Sequence, residues 1–126
     1  MRRKVTRKPL KWLGDSLEAL SAFPVEVKKS MGHALHLAQT GMKAIHAKPM
    51  RGFGGAGVLE VVEDDRGSTY RAAYTVKFGE LVYVLHAFQK KSTKGIATPK
   101  PDVDLIKQRL KEAAADYDKR FKGKKQ

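Results

Sequence analysis

The sequence contains no cysteine, and this absence excludes disulfide bonds and cysteine-ligated metal sites. It also lacks any apolar run near the ~20 residues that a membrane-spanning helix needs. Its basic N-terminus is not followed by the apolar segment of a secretory signal. These absences favour a cytoplasmic protein with no membrane partner, and the 126 residues are enough for one domain with a real hydrophobic core.

Acidic residues are few, and they are unevenly placed. Asp and Glu total 13 against 26 Lys and Arg, which gives a formal net charge of +13. Three segments, residues 1–11, 27–59 and 87–101, contain no acidic residue at all. A charge this large says little about the fold, but it indicates an anionic partner: nucleic acid, an anionic membrane or an acidic protein. Solubility alone is the plain alternative, although it does not require three acid-free segments.

Apolar spacing predicts two helices in the first third of the chain. A capping-box pattern from Asp15 to Glu18 opens a short helix, and Pro24 starts a second one that ends at Gly41. The second helix carries apolar residues at helical spacing, namely Val27, Met31, Ala34, Leu35 and Ala38. We expect a basic arm over residues 1–11, one domain over 12–119 and a basic tail over 120–126.

Strand patterns follow the two helices. An irregular basic loop over residues 48–57 precedes strands over 58–63, 70–78 and 81–88. A final helix starts near Pro101 and has an apolar stripe formed by Val103, Ile106, Leu110, Ala113 and Tyr117. The sequence therefore predicts an α+β fold, in which two N-terminal helices pack on a three- to four-stranded antiparallel sheet and a C-terminal helix follows.

Turn chemistry predicts how the strands pair. A two-residue turn at Gly79-Glu80 would pair Ala73 with His86. It would also place Leu81, Tyr83 and Leu85 on the face that meets the helices. A four-residue turn over 65–68 would pair Glu60 with Ala73. Glu60, Arg71 and His86 would then lie together on one open sheet face, a prediction that a slip of one residue would reverse.

This combination of side chains suits the cleavage of RNA by its own 2′-hydroxyl. Glu or His can transfer protons near neutral pH, Arg can bind a phosphate through two hydrogen bonds, and lysines can hold the backbone. The candidate catalytic residues are Glu60, Arg71, His86 and Lys91. The candidate RNA-binding residues are Lys48, Arg51, Lys77, Lys90 and Lys94. Taken singly, each also fits a structural role, such as a cross-strand ion pair, a packed histidine or a solvated lysine. His33 and His36 have no accompanying carboxylates, so neither a metal nor a cofactor is predicted.

Three segments resemble RelE/HigB-type toxins of type II toxin–antitoxin systems. Residues 84–94, VLHAFQKKSTK, followed by Thr98-Pro99, resemble a signature of the phage-related HigB-like branch. Residues 70–74, YRAAY, resemble a strand of that superfamily, and residues 48–61 more loosely resemble the start of its sheet. The resemblance as a whole covers roughly residues 44–112 of the chain, and the order of the helices before it agrees as well.

The resemblance implies a microbial RNase-like fold and cleavage of messenger RNA in the ribosomal A site. It also implies contact with ribosomal RNA and neutralisation by a cognate antitoxin protein. Arg71 matches the arginine that contacts the scissile phosphate, and Lys90 or Lys91 matches the basic residue that ends the last strand. Glu60 and Val62 stand where some relatives have catalytic lysines, and a C-terminal catalytic tyrosine has no clear equivalent.

Other functions remain open on the sequence. A ParE-like toxin that poisons DNA gyrase shares the fold and lacks the catalytic set. A non-catalytic basic RNA- or DNA-binding module would bind with steep salt dependence and cleave nothing. A membrane-surface protein would use its two basic ends.

Overall fold

The computed structural model of the chain describes residues 7–55, 57–90 and 97–122. Within them, the elements follow in the order β1 Leu10–Trp12, α1 Ser16–Ser21, α2 Val25–Gln39, β2 Ala47–Pro49, β3 Val58–Asp65, β4 Ser68–Thr75, β5 Val82–Lys90 and α3 Lys100–Tyr117. A π-helical turn, Asp118–Lys122, continues α3 into the predicted tail. The predicted mixed α+β class is confirmed. None of the described helices is long and apolar enough to cross a lipid bilayer.

The sheet has five strands in the order β1-β5-β4-β3-β2, not the three or four that were predicted. β1 pairs in parallel with β5, and the other neighbours are antiparallel. The two strands that sequence reasoning missed are three residues each, too short to show alternation. β1 includes Leu10 and Lys11 from the predicted arm, and β2 includes Lys48 from the predicted loop. Pro49 is tolerated because β2 is an edge strand.

The helix α2 has the buried face that its spacing predicted. Val27, Met31, Ala34, Leu35 and Ala38 are all buried, and they pack on one face of the sheet. The predicted capping box of α1 is wrong, because the Asp15 side chain makes no capping hydrogen bond within the described helix. Its carboxylate instead accepts a hydrogen bond from Arg109 at 3.1 Å, which joins α1 to α3.

The predicted β3–β4 register is confirmed. Glu60 pairs with Ala73 and Val62 with Arg71. The turn between the strands is Arg66-Gly67, with φ values of 51° and 84°. Two left-handed residues are what a tight hairpin turn requires, and glycine adopts this conformation without strain.

The β4–β5 register is confirmed for only part of its length. Ala73 pairs with His86 as predicted, but the register shifts by one residue beyond it, so Tyr74 pairs with Val84. Gly79-Glu80 does form a turn, in which the Leu81 N–H donates to the Phe78 carbonyl at 3.4 Å. The expectation that this turn joins the two strands directly is wrong, because residues 76–81 all lie between them. Because a shift of one residue exchanges the two faces, Val84 packs toward α1 and α2 while Tyr83 and Leu85 pack toward α3.

The helix α3 covers the second face of the sheet. Ile106 and Ala113 are fully buried, and the other predicted stripe residues pack partly buried beside them: Val103, Leu110 and Tyr117. The stripe prediction is thus confirmed, but the expectation of an open face is wrong. The sheet lies between two helical layers, and the residues predicted on that open face lie beside or beneath α3.

A hydrogen bond anchors the C-terminal end of α3 to the sheet. The Tyr83 hydroxyl donates to the Asp116 carboxylate at 2.7 Å, and Arg120 donates to the same oxygen at 2.7 Å. Burial and the hydrogen bond to Asp116 raise the pKa of Tyr83. Burial opposes ionisation of Asp116, but the bonds from Tyr83 and Arg120 outweigh it and hold the pKa of Asp116 below its usual value.

This anchor predicts a pH-dependent stability difference. Tyr83→Phe should lower the free energy of unfolding by about 1–2 kcal/mol at pH 7, because it removes a hydrogen bond to a charged group. Because the pKa of Asp116 is lower in the folded protein than its unfolded value of ~3.9, the ionised carboxylate stabilises the fold above that pH. This contribution is lost as the pH falls through the folded-state pKa. Urea unfolding of both proteins should show the difference shrinking below about pH 4. A difference that stays constant down to low pH would contradict the role of the Asp116 charge.

Candidate functional site

A pocket of about 470 Å³ opens between the edge of the sheet and the start of α3. Its polar lining comes from Lys48, Arg51, Glu60, Arg71 and Thr98. Its apolar lining comes from Pro49, Met50, Val62 and Val103. Three cationic side chains against one carboxylate make this concave surface suited to an anionic ligand, and its apolar residues could pack against a planar group.

Arg71 and Glu60 form an ion pair at the pocket. The Arg71 Nη1 donates to Glu60 Oε1 at 3.2 Å and to Thr98 Oγ1 at 3.3 Å. The pair forms because Glu60 and Arg71 are diagonal neighbours in the confirmed β3–β4 register. Arg71 is only 4 % exposed, so the prediction that it stands on an open face is wrong. Its guanidinium is held in one place by partners from a strand and from the segment before α3.

The edge strand β2 adds a cation to this pair. Lys48 lies directly opposite Glu60 in the β2–β3 register, and both residues line the pocket. Arg51 follows β2, and its side chain, like that of Lys48, is exposed. The structure therefore brings together four of the residues predicted from the sequence: Lys48, Arg51, Glu60 and Arg71.

His86 is separated from this group by its contacts with α3. Its Nε2 is 2.8 Å from Asp102 Oδ1, and its Nδ1 is 3.4 Å from Arg109 Nη1. Since a guanidinium only donates, Nδ1 accepts, and Nε2–H donates to Asp102. The ring is 7 % exposed and stacks on Phe88. Among the described residues, His86 is not part of the pocket lining.

The remaining predicted lysines are dispersed. The Lys90 Nζ donates to the carbonyl of Ala97, which lines the pocket, at 3.4 Å. Lys77 is exposed beyond the far end of β4, where its ammonium is 5.8 Å from the centre of the Phe78 ring. Lys91 and Lys94 lie outside the described residues.

Sequence reasoning missed the residues that attach α3 near the pocket. Arg109 donates to the Leu85 carbonyl at 3.0 Å and contacts both His86 and Asp15. Gly14, with φ of 54°, lies so close that a Cβ there would be 2.4 Å from the Arg109 guanidinium. These contacts join residues far apart in sequence. The exception is the pair Asp102 and Arg109, since a spacing of seven residues on the predicted helix puts both on one face. The sequence alone could have shown this.

A metal site is not apparent in the described part of the chain. Residues 7–55, 57–90 and 97–122 contain no group of three or more histidine, aspartate or glutamate side chains placed to hold a metal ion. His33 and His36 are both exposed on α2.

Comparisons with known proteins give a family match and a structural likeness. The sequence model of the family described as "Phage derived protein Gp49-like (DUF891)" matches residues 18–111, more than half of the chain. Among solved structures, the toxin–antitoxin complex RelBE2 from Mycobacterium tuberculosis is similar at 16% identity and a TM-score of 0.45, covering 72% of this chain and 100% of the other. No curated protein matches the sequence. The family match includes every residue that lines the pocket.

Proposed function

The chain belongs to the family of phage derived Gp49-like proteins, and on this premise we propose that it is the toxin of a toxin–antitoxin pair. Its proposed activity is ribosome-dependent cleavage of translated messenger RNA without a metal: the 2′-hydroxyl loses its proton and attacks the adjacent phosphate, the bond to the 5′-oxygen breaks, and that oxygen leaves with a proton taken from solvent. Two features support the proposal: the resemblance of residues 84–94 to the HigB-like signature, and the pocket that holds Arg71 and Glu60.

The Arg71–Glu60 pair at the cationic pocket is the observation that carries this proposal. Attack by a 2′-hydroxyl requires a proton acceptor, and Glu60 is the carboxylate among the described residues that line the pocket. The charge that develops on the phosphate needs a fixed cation, and the Arg71 guanidinium is held 3.2 Å from that carboxylate. A phosphate bound to Arg71 would therefore lie beside Glu60.

The rim of the pocket is assigned to substrate binding. Lys48 and Arg51 are exposed there, and in this proposal they contact phosphates next to the reacting one. Apolar contact with Pro49 and Met50 would hold a base or a sugar. Arginine is well suited to this role, since its planar fork matches two phosphate oxygens.

His86 is assigned a positioning role in this proposal. Both ring nitrogens contact residues of α3, and reaching a substrate would require these bonds to break. The ring instead holds the first half of α3 on the sheet, where Val103 lines the pocket. Lys91, which follows Lys90 in the sequence and lies outside the described residues, remains a candidate cation.

The charge of +13 supports two partners. Ribosomal RNA would offer a phosphate surface to which the toxin binds while it reaches the messenger RNA. A cognate antitoxin with an acidic segment would have a strong electrostatic target in the same basic surface. A stable complex with an antitoxin that makes no acidic contact would contradict the second assignment.

Replacing Glu60 with glutamine tests the proposed proton acceptor. We expect cleavage of a short messenger RNA on programmed ribosomes to slow by about a hundredfold or more, because a general base contributes at least that factor. Glu112→Gln, on the exposed side of α3, is the matched control and should cleave at the wild-type rate. If Glu60→Gln cleaves as fast as the control, Glu60 is not the base.

A further inference from the structure

Aromatic rings form a continuous ladder at the C-terminal end of α3. Phe78 lies 5.1 Å from Tyr117, and Tyr117 lies 4.5 Å from Phe121, measured between ring centres. We call these three residues the C-terminal ladder. Its inner end contacts the fully buried Tyr83 at 5.5 Å, and its outer end, Phe121, is 36 % exposed. The ladder thus runs from the core to the surface, where part of its outermost ring is open to solvent.

Cationic side chains lie at both ends of the ladder. At its inner end the Lys77 ammonium lies 5.8 Å from the Phe78 ring centre. At its outer end Lys119 and Arg120 precede Phe121 in sequence, and both are exposed. Asp116, a nearby carboxylate, is already neutralised by Arg120 at 2.7 Å. An aromatic face beside lysines is how many proteins bind single-stranded nucleic acid, because bases stack on the ring and phosphates meet the ammonium groups.

The ladder and the pocket lie at opposite ends of α3. Thr98 of the pocket precedes the helix and Tyr117 ends it, so its 18 residues separate the two by about 27 Å. Between them, the Lys107 ammonium lies 6.0 Å from the Phe53 ring, and Phe53 follows two residues after Arg51 of the pocket. A Cβ added at Gly57, which precedes β3, would lie 3.3 Å from the Lys77 Cβ. Cations and rings therefore recur between the pocket and the ladder.

We propose that the C-terminal ladder is a second contact for single-stranded RNA, in which an unpaired base stacks on Phe121 and Lys77 and Lys119 bind adjacent phosphates. The ladder proposal rests on the proposed function in one respect, which is that RNA is the ligand. The ladder adds a contact several nucleotides away from the phosphate that is cut. Its contribution is stacking, so it depends on the presence of a base and little on which base it is.

Binding of a labelled RNA to the purified full chain tests this proposal. The RNA is unstructured and about 12 nucleotides long, which is within the usual size of a single-strand binding site. A second RNA of the same length has the same backbone but no bases. We expect Phe121→Ala and Phe121→Leu to weaken binding of the normal RNA roughly five- to a hundredfold, the loss of one stacked base. Phe121→Trp should bind as tightly as wild type. The RNA without bases should bind wild type and Phe121→Leu equally, and thermal unfolding should show that each variant is folded.

The outcomes separate this proposal from the pocket. Arg51→Ala serves as the pocket variant and should weaken binding of both RNAs. If Arg51→Ala weakens binding while every Phe121 variant binds as wild type does, the ladder proposal is overturned and the pocket proposal stands. If Phe121→Leu weakens both RNAs equally, the ring acts through the fold, and the stacking proposal is overturned. If the wild type binds neither RNA, the ladder proposal is overturned, while the pocket is tested separately by the cleavage assay on programmed ribosomes.

Discussion

Replacing Arg71 with alanine is expected to abolish growth arrest and to lower the free energy of unfolding by about 3–5 kcal/mol. Both effects follow from the buried position of the guanidinium, which is 4 % exposed and 3.2 Å from Glu60. Without Arg71, the partly buried Glu60 carboxylate has lost its counter-charge, and the pocket has lost its fixed cation. Urea unfolding measures the first effect, and growth after induced expression measures the second.

A double variant separates these two effects. Arg71→Met combined with Glu60→Leu replaces the ion pair with apolar side chains, a change that often leaves stability unaltered or improved. We expect the double variant to fold with near wild-type stability and to leave growth unaffected. If it folds and still arrests growth, the pair is structural and the proposed site is wrong.

The second large effect is expected at Arg109. Arg109→Ala should lower the free energy of unfolding by about 3 kcal/mol, since the buried Leu85 carbonyl and His86 Nδ1 each lose a donor. Arg109→Lys should recover little of this loss, because one ammonium group cannot reproduce the planar fork that reaches Leu85, His86 and Asp15. Hydrogen exchange should show the loss concentrated in α3.

A matched control for Arg109 is available on the same helix. Lys100 and Asp104 form an exposed pair spaced by four residues, and Lys100→Ala should cost only about 0.3–0.5 kcal/mol. If Arg109→Ala costs no more than this control, the contacts with Leu85 and His86 do not hold α3 in place.

Local patterns predicted the elements that are long and regular. Five apolar positions of α2 and the stripe of α3 were found because a helix with one buried face repeats every three or four residues. The strands β1 and β2 were missed because three residues cannot display an alternation. The shift after Ala73 was missed because a bulge leaves no mark in the polarity of residues that are apolar on both faces, such as Val82 to Leu85.

The candidate site was predictable where it depends on one hairpin. Turn chemistry at residues 65–68 fixed the register that places Glu60 diagonal to Arg71. The position of α3 was not predictable, since it depends on contacts such as Arg109 with Asp15, 94 residues apart. Arg71 is enclosed by Glu60 and by Thr98 in the segment before that helix, and His86 is bonded to Asp102 and Arg109 on it. Two residues predicted on an open face are therefore enclosed instead.

Primer-extension mapping of cleavage in translated messages tests the proposed activity most directly. Wild type and the Arg71→Met, Glu60→Leu double variant are expressed at equal levels, and message ends are mapped after induction. We predict cuts in register with the reading frame for wild type and no cuts for the double variant. Growth arrest by wild type without such cuts would contradict the nuclease and indicate another target such as gyrase. Cuts that persist in the double variant would contradict the site.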